Sequence, residues 1–225
     1  AGDHDHDSIT VPEMKAALRK ATIDRRAFPV LCGSALKYVG IQKVLDSAIE
    51  YLPNPTERED VEGVDPKEPS TKLTRPHTQD APFSALVFKV VADVAGTLTY
   101  LRIYSGKLTK GSRVLNPGNG RKENISRLYE MHALDREALD ETGAGQIVAV
   151  VGLKDSFTGD TLCDPDHPII LERMVFPEPV ISMSIEPITA DDKKKLGEAL
   201  TTIRREDPSF RSNYNDETGE DRKST

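Results

Sequence analysis

Phe83-Ser84-Ala85-Leu86-Val87-Phe88-Lys89-Val90-Val91 is the stretch whose reading decides the fold. It is β-branched and aromatic, it follows Pro82, and it is too short between breakers to be a helix of ordinary length. Runs of the same kind follow at 97–104, 112–116, 123–129 and 146–153, each rich in Val, Ile, Leu, Phe or Tyr and parted from the next by Gly, Asn, Asp or Pro. That spacing is the pattern of an all-β barrel or sandwich. Residues 81–172 therefore read as one self-closing domain, with pieces of other domains on either side.

Upstream, residues 54–80 carry Pro55, Pro66, Pro69 and Pro76 among many charges and few apolar residues, which predicts a linker tethered along a surface. Before it, Thr10-Val11-Pro12-Glu13 opens a helix with a capping-box pattern, and Val11, Met14, Leu18 and Ala21 recur at helical spacing. Phe28-Pro29-Val30-Leu31-Cys32 reads as a buried strand leaving through a Gly33-Ser34-Ala35 turn. A second helix follows from about 41 to 52, with Ile41, Val44, Leu45, Ala48, Ile49 and Leu52 on one face until Pro53 and Pro55 stop it.

Downstream, residues 174–179 form a second junction. The alternation of Ile181, Met183 and Ile185 predicts a strand. Thr189-Ala190-Asp191-Asp192 caps a helix bearing Leu196, Ala199, Leu200 and Ile203 that ends before Pro208. Residues 213–225 are polar and lack an apolar strand, so this β-α unit reads as unfinished, with poor packing expected after Glu206.

Composition excludes little: with 37% hydrophobic and 30% charged residues the chain is that of an ordinary globular protein. No apolar run is long enough to span a bilayer, and residues 1–7 lack the order of a signal peptide, so a cytoplasmic location is expected. Cys32 and Cys163 end apolar runs and are read as reduced, structural thiols. The net charge of −7 is unevenly spread. Residues 102–127 hold Arg102, Lys107, Lys110, Arg113, Arg121, Lys122 and Arg127 against the single acid Glu123, whereas 128–172 are strongly acidic. Such a split suits docking on a polyanion by one face, or a solvated surface with chance clustering.

Catalytic patterns are missing: no G-x-x-x-x-G-K-[ST], no metal-spaced Cys or His pairs and no nucleophile elbow occur in the 225 residues. Asp3-His4-Asp5-His6-Asp7 is read as a solvated terminus and not a metal site, and His77, His132 and His167 as structural or solvated groups rather than bases. The most chemical feature is Cys32-Gly33-Ser34-Ala35-Leu36, where small residues after a strand let backbone N–H groups approach a ligand.

From Phe28 through Lys37, then Gly40-Ile41-Gln42 and Tyr51-Leu52-Pro53-Asn54-Pro55, the order of residues resembles the end of the GTPase domain of bacterial-type elongation factor G. The resemblance continues through residues 80–89, Leu101-Arg102-Ile103-Tyr104-Ser105-Gly106, Val151-Gly152-Leu153-Lys154-Asp155, Thr158-Gly159-Asp160-Thr161-Leu162-Cys163, residues 195–200 and Glu206-Asp207-Pro208-Ser209-Phe210. It covers roughly residues 10–220. Departures are a 90–97 loop that is one residue shorter and lacks the family's Pro, leaving the paralogue open, and an end at Thr225 where the family continues.

The resemblance implies a mainly β fold with α/β flanks. Residues 1–53 would be the end of a GTPase domain, 54–80 a linker, 81–175 the translation-factor β-barrel, and 176–225 an incomplete ferredoxin-like α+β third domain. Ser34, Ala35 and Leu36 match the family's last guanine-recognition motif, in which the N–H at the Ala position contacts the base. The full-length family uses GTP and magnesium to drive ribosomal translocation. This piece, without phosphate loop, switches or Asn-Lys-x-Asp, is expected to hold no cofactor and not to be an enzyme. Its implied partners are the ribosome and ribosomal RNA, together with the upstream GTPase half and downstream domains of the same protein; neither membrane nor DNA is implied. Candidate RNA contacts are Lys110, Arg113, Arg121, Lys122 and Arg127, acting by phosphate pairing. A related ribosome-protection or peptide-release factor, or an interaction module unconnected with translation, are the other readings.

Overall fold

A computed structural model of the chain describes residues 9–93, 96–133, 135–172, 174, 176, 179–215 and 220–224. The chain divides into two compact units, Ala1–Arg58 and Glu59–Thr225. The Asp3 to Asp7 run lies outside the described residues.

The first unit contains helix α1 (Val11–Ile23), helix α2 (Ile41–Tyr51) and a single turn of 3-10 helix at Pro55–Glu57. Glu13 closes the first turn of α1 as its sequence predicts, accepting from the Thr10 backbone N–H at 2.8 Å and the Thr10 hydroxyl at 2.7 Å. The two helices are tied by charge: Lys15 Nζ meets Glu50 Oε1 at 2.6 Å, and Arg19 donates to the Glu50 and Leu52 carbonyls and the Glu57 carboxylate. The strand expected at 28–32 does not form. A strand needs a neighbouring ladder for its N–H and C=O groups, and among the described residues this unit offers only the bridge Ser34↔Val39. Phe28 and Val30 are accordingly 78% and 89% exposed, and Cys32 is exposed rather than buried. The apolar face of α2 is likewise open at Val44, Leu45 and Ile49.

In the second unit the strands are β1 (Val61–Val64), β2 (Lys72–Arg75), β3 (Ser84–Asp93), β4 (Gly96–Ser105), β5 (Lys107–Thr109), β6 (Arg113–Asn116), β7 (Arg121–Asn124) and β8 (Arg127–His132). They continue as β9 (Asp135–Leu139), β10 (Glu141–Gly143), β11 (Ile147–Val151), β12 (Thr161–Cys163) and β13 (Ile170–Leu171). Antiparallel pairing in the order β7-β6-β12-β3-β4-β11-β8-β9, with β5 paired to β10, builds the barrel. Inward residues from these strands, among them Val87, Leu101, Ile103, Leu108, Val114, Leu128, Val150 and Leu162, form one core. In β3, Val87 and Val90 are both buried although three positions apart, because a register shift between Val87 and Lys89 interrupts the alternation.

The 54–80 stretch is not a plain tether. β1 and β2 pair as a hairpin, and β1 also pairs with β13. Val61 and Leu73 pack on a second buried cluster of Cys163, Ile169 and Leu171, together with Leu86, Tyr104 and Leu115. Gly63 makes this approach possible, since a Cβ there would lie 2.6 Å from both Ile169 Cγ1 and the Ile170 carbonyl. Composition hid the hairpin because its strands hold few apolar residues and rely on backbone ladders and one close glycine contact.

The last segment folds as β14 (Ser182–Ile185), helix α3 (Ala190–Glu206), β15 (Arg211–Asn215) and β16 (Glu220–Ser224), with sheet order β14-β16-β15. Thr189 and Asp192 form the predicted capping box: Thr189 N–H and hydroxyl donate to Asp192 Oδ2, and Asp192 N–H donates back to the Thr189 hydroxyl at 3.1 Å. The segment read as lacking an apolar strand nonetheless forms two strands. The polar strands β15 and β16 pair through five registered positions, which needs backbone groups and not apolar side chains, and Phe210 beside them is buried.

Candidate nucleic-acid interface

The candidate contacts centre on the β6–β7 hairpin. Asn116 shapes its tip, its Oδ1 accepting from Gly118 N–H at 3.0 Å and its carbonyl from Gly120 N–H at 2.9 Å. Asn119 Oδ1 accepts from Arg121 N–H at 2.9 Å, so the turn is set by Asx contacts. Register pairs Arg113 with Asn124, Val114 with Glu123, Leu115 with Lys122 and Asn116 with Arg121. Because side chains alternate across a strand, Arg113 and Lys122 share one face, and Arg121 lies on the other with Asn116 and Glu123.

The five cations therefore differ in availability. Arg121 Nη1 donates to Asp155 Oδ1 at 2.5 Å, and this hydrogen bond holds its guanidinium above the usual arginine value. Lys110 Nζ lies 3.9 Å from Asp140 Oδ1. Arg127, on the neighbouring strand β8, donates to the Tyr129 hydroxyl at 3.4 Å, which raises its pKa. The side chains of Arg113 and Lys122 are exposed and make no hydrogen bond or ion pair among the described residues. The structure thus brings Arg113 and Lys122 together as open cations, turns Arg121 away from them, and leaves Lys110 and Arg127 on other strands or turns.

Glu123, the lone acid of the basic run, is buried. Its Oε1 accepts from the Ser156 hydroxyl at 2.5 Å, and its Oε2 accepts from Asp155 N–H at 2.9 Å and from Lys154 N–H. A carboxylate taking three donors fastens the β11–β12 connection to the hairpin. Neither this role nor the Asp155 partner of Arg121 is legible in local pattern, since both join residues more than thirty positions apart. The one signal was the isolation of Glu123 among cations. His77 is structural as read, its ring nitrogens lying 2.9 Å from the Tyr104 and Glu59 carbonyls. Glu130, His132 and Glu137 bring possible ligand atoms within 4.8 Å of one another, but all are at least partly exposed and no second feature marks a metal centre.

In the first unit, Ser34 anchors a tight loop, exchanging backbone bonds with Val39 at 2.9 and 3.0 Å. Gly33 is required there, as a Cβ would meet the Val39 carbonyl at 2.7 Å. Ala35 and Leu36 are exposed and their backbone N–H groups have no partner among the described residues.

Residues 96–163, which comprise most of the barrel and its hairpin, match the family model described as elongation factor Tu domain 2. Residues 176–222 match elongation factor G, domain III. The chain thus carries two elongation-factor segments, as a fragment of an elongation factor G would. Both matched domains are those of translational GTPases, the barrel preceding domain III in this chain. A crystal structure of a protein from Thermus thermophilus is similar over 96% of this chain, with 28% sequence identity and a TM-score of 0.70. The match covers 30% of that chain, so the present chain spans less than a third of its length. Residues 34–36 lie outside both matched elongation factor segments. Among the described residues no helix is long and apolar enough to cross a membrane.

Proposed function

We propose that this chain is the ribosome-docking and interdomain part of an elongation factor G, acting in GTP-dependent translocation without hydrolysing GTP itself. The barrel docks on ribosomal RNA, and Arg113 and Lys122 pair with its phosphates. The observation that carries this reading is their placement on one face of the β6–β7 hairpin, exposed and without an intramolecular partner among the described residues, in a domain of translational GTPases. Phosphate pairing by exposed cations supplies affinity without reading sequence.

The Ala35 N–H, free in the Ser34 loop, suits donation to the guanine oxygen of GTP, and the nucleotide would supply the phosphate chemistry to the upstream half of the protein. That half would also cover the exposed apolar side chains of α2 and of residues 28–39, whose Leu36 is 90% exposed. Cosedimentation with ribosomes tests the docking. Arg113→Glu with Lys122→Glu should abolish most binding while the circular dichroism spectrum stays unchanged, and undiminished cosedimentation would refute it.

A further inference from the structure

The β11–β12 connection, residues 152–160, touches the hairpin on one side and helix α3 on the other. Toward the hairpin it is held by the Glu123 carboxylate, by Asn119 Nδ2 donating to the Asp155 carbonyl at 2.9 Å, and by Asn116 Nδ2 donating to Asp160 Oδ2 at 2.8 Å. The Arg121–Asp155 ion pair is the remaining tie. Toward α3, the Thr158 hydroxyl reaches the Arg205 and Glu206 carbonyls at 3.3 and 3.2 Å, and Arg205 Nη2 donates to the Leu153 carbonyl at 3.1 Å. The last carbonyls of a helix have no intrahelical donors. Here Thr158 of the barrel supplies two, its hydroxyl and its N–H, the latter 3.5 Å from the Arg205 carbonyl. They cap the domain III helix from outside, beside the helix's own last bond from Asp207 N–H to the Ile203 carbonyl at 2.8 Å.

The ties on the hairpin side differ in how open they are to competition. Glu123 and Ser156 are buried, whereas the Arg121 and Asp155 side chains are 61% and 43% exposed. A phosphate offers arginine the same paired-oxygen geometry as a carboxylate. It can take Arg121 from Asp155 while the Glu123 anchor stays in place.

We propose that the Arg121–Asp155 pair makes the 152–160 loop a sensor of RNA engagement. An RNA phosphate that takes Arg121 frees the Asp155 side chain, and the loop passes that release to the Thr158 cap on α3. Linkage requires the reverse as well: loosening the cap on α3 favours phosphate at Arg121. The inference rests on the hairpin docking on RNA, adds a second phosphate contact at Arg121 on the face opposite Arg113 and Lys122, and assigns Asp155 as the positioning residue that governs Arg121.

Hydrogen exchange on the whole chain, with isolated small ribosomal subunits as the probe, tests it. Asp155→Asn removes the charge and leaves the Asp155 backbone bonds to Glu123 and Asn119 intact. In the free chain it should speed exchange of the Thr158 and Asp207 amides by about threefold or more. It should also bind subunits about two- to fivefold more tightly, because no internal ion pair has to open first. Arg121→Gln breaks the same pair from the other side, and should speed the same amides while weakening binding. Unchanged exchange at Thr158 and Asp207 in both variants overturns the coupling whether or not subunits bind. Exchange that responds in a chain that fails to bind subunits upholds the coupling and refutes the docking reading.

Discussion

Replacing Glu123 by alanine takes away the acceptor that fastens residues 154–156 to the hairpin. Three donors lose their partner: Lys154 N–H, Asp155 N–H and the Ser156 hydroxyl. A hydrogen bond to a charged acceptor contributes about 1.5–3 kcal/mol. Water can reach the backbone donors at exposed Lys154 and half-buried Asp155, but not the hydroxyl of Ser156, which is 0% exposed. The net cost is therefore about 2–4 kcal/mol, well short of three full bonds. With a urea m-value of about 2 kcal/mol per M, the unfolding midpoint should fall by about 1–2 M. The chain has no tryptophan, so far-ultraviolet circular dichroism is the readout. Glu123→Gln keeps one carbonyl oxygen and should lose about half as much. A Glu123→Ala midpoint within about 0.25 M of the parent, or about 0.5 kcal/mol at that m-value, would show that the buried carboxylate does not hold the connection.

Gly106 has φ +73°, and a Cβ there would lie 2.6 Å from the Ala81 carbonyl and from Phe83 backbone atoms, so Gly106→Ala should cost about 2–4 kcal/mol in the same urea assay. Thiol titration should find Cys32 fast and Cys163 silent until denaturant is added, since Cys32 is exposed while Cys163 is buried and burial pushes its thiol pKa up. On the acid side, the Ser209 hydroxyl and N–H hold the Asp207 carboxyl below its usual range, and the Asn54 N–H and then Arg19 do so for Glu57. A lowered folded pKa contributes stability that is complete above the unfolded value and lost as pH falls through the folded one. Carboxyl NMR titration should place both midpoints below the ordinary carboxylate values, and ordinary midpoints would contradict these contacts.

Local chemistry made much of the fold legible. The Phe83 to Val91 run became β3 because β-branched and aromatic residues between breakers have few other packed forms, and Thr189 with Asp192 capped α3 as their spacing requires. Phe28 to Cys32 misled for the opposite reason: its apolar side chains state a need for burial, but the ladder that would make a strand is not among the described residues of its unit. At the candidate site, sequence located the cations and not their pairing. Arg121 looked as available as Lys122, yet one residue of offset places them on opposite faces, and the Asp155 that claims Arg121 arrives from a distant loop. Charge density is a one-dimensional property, whereas availability to a phosphate depends on register and on contacts remote in sequence.

The most direct test of the central claim is the salt dependence of association between this chain and small ribosomal subunits. Neutralising Arg113→Gln together with Lys122→Gln removes two phosphate pairs if the hairpin docks as proposed. The slope of log K against log salt should then become shallower by about 1.4–1.8, from about 0.7–0.9 per phosphate contact, with weaker binding at every salt concentration. An unchanged slope with unchanged affinity would contradict the account.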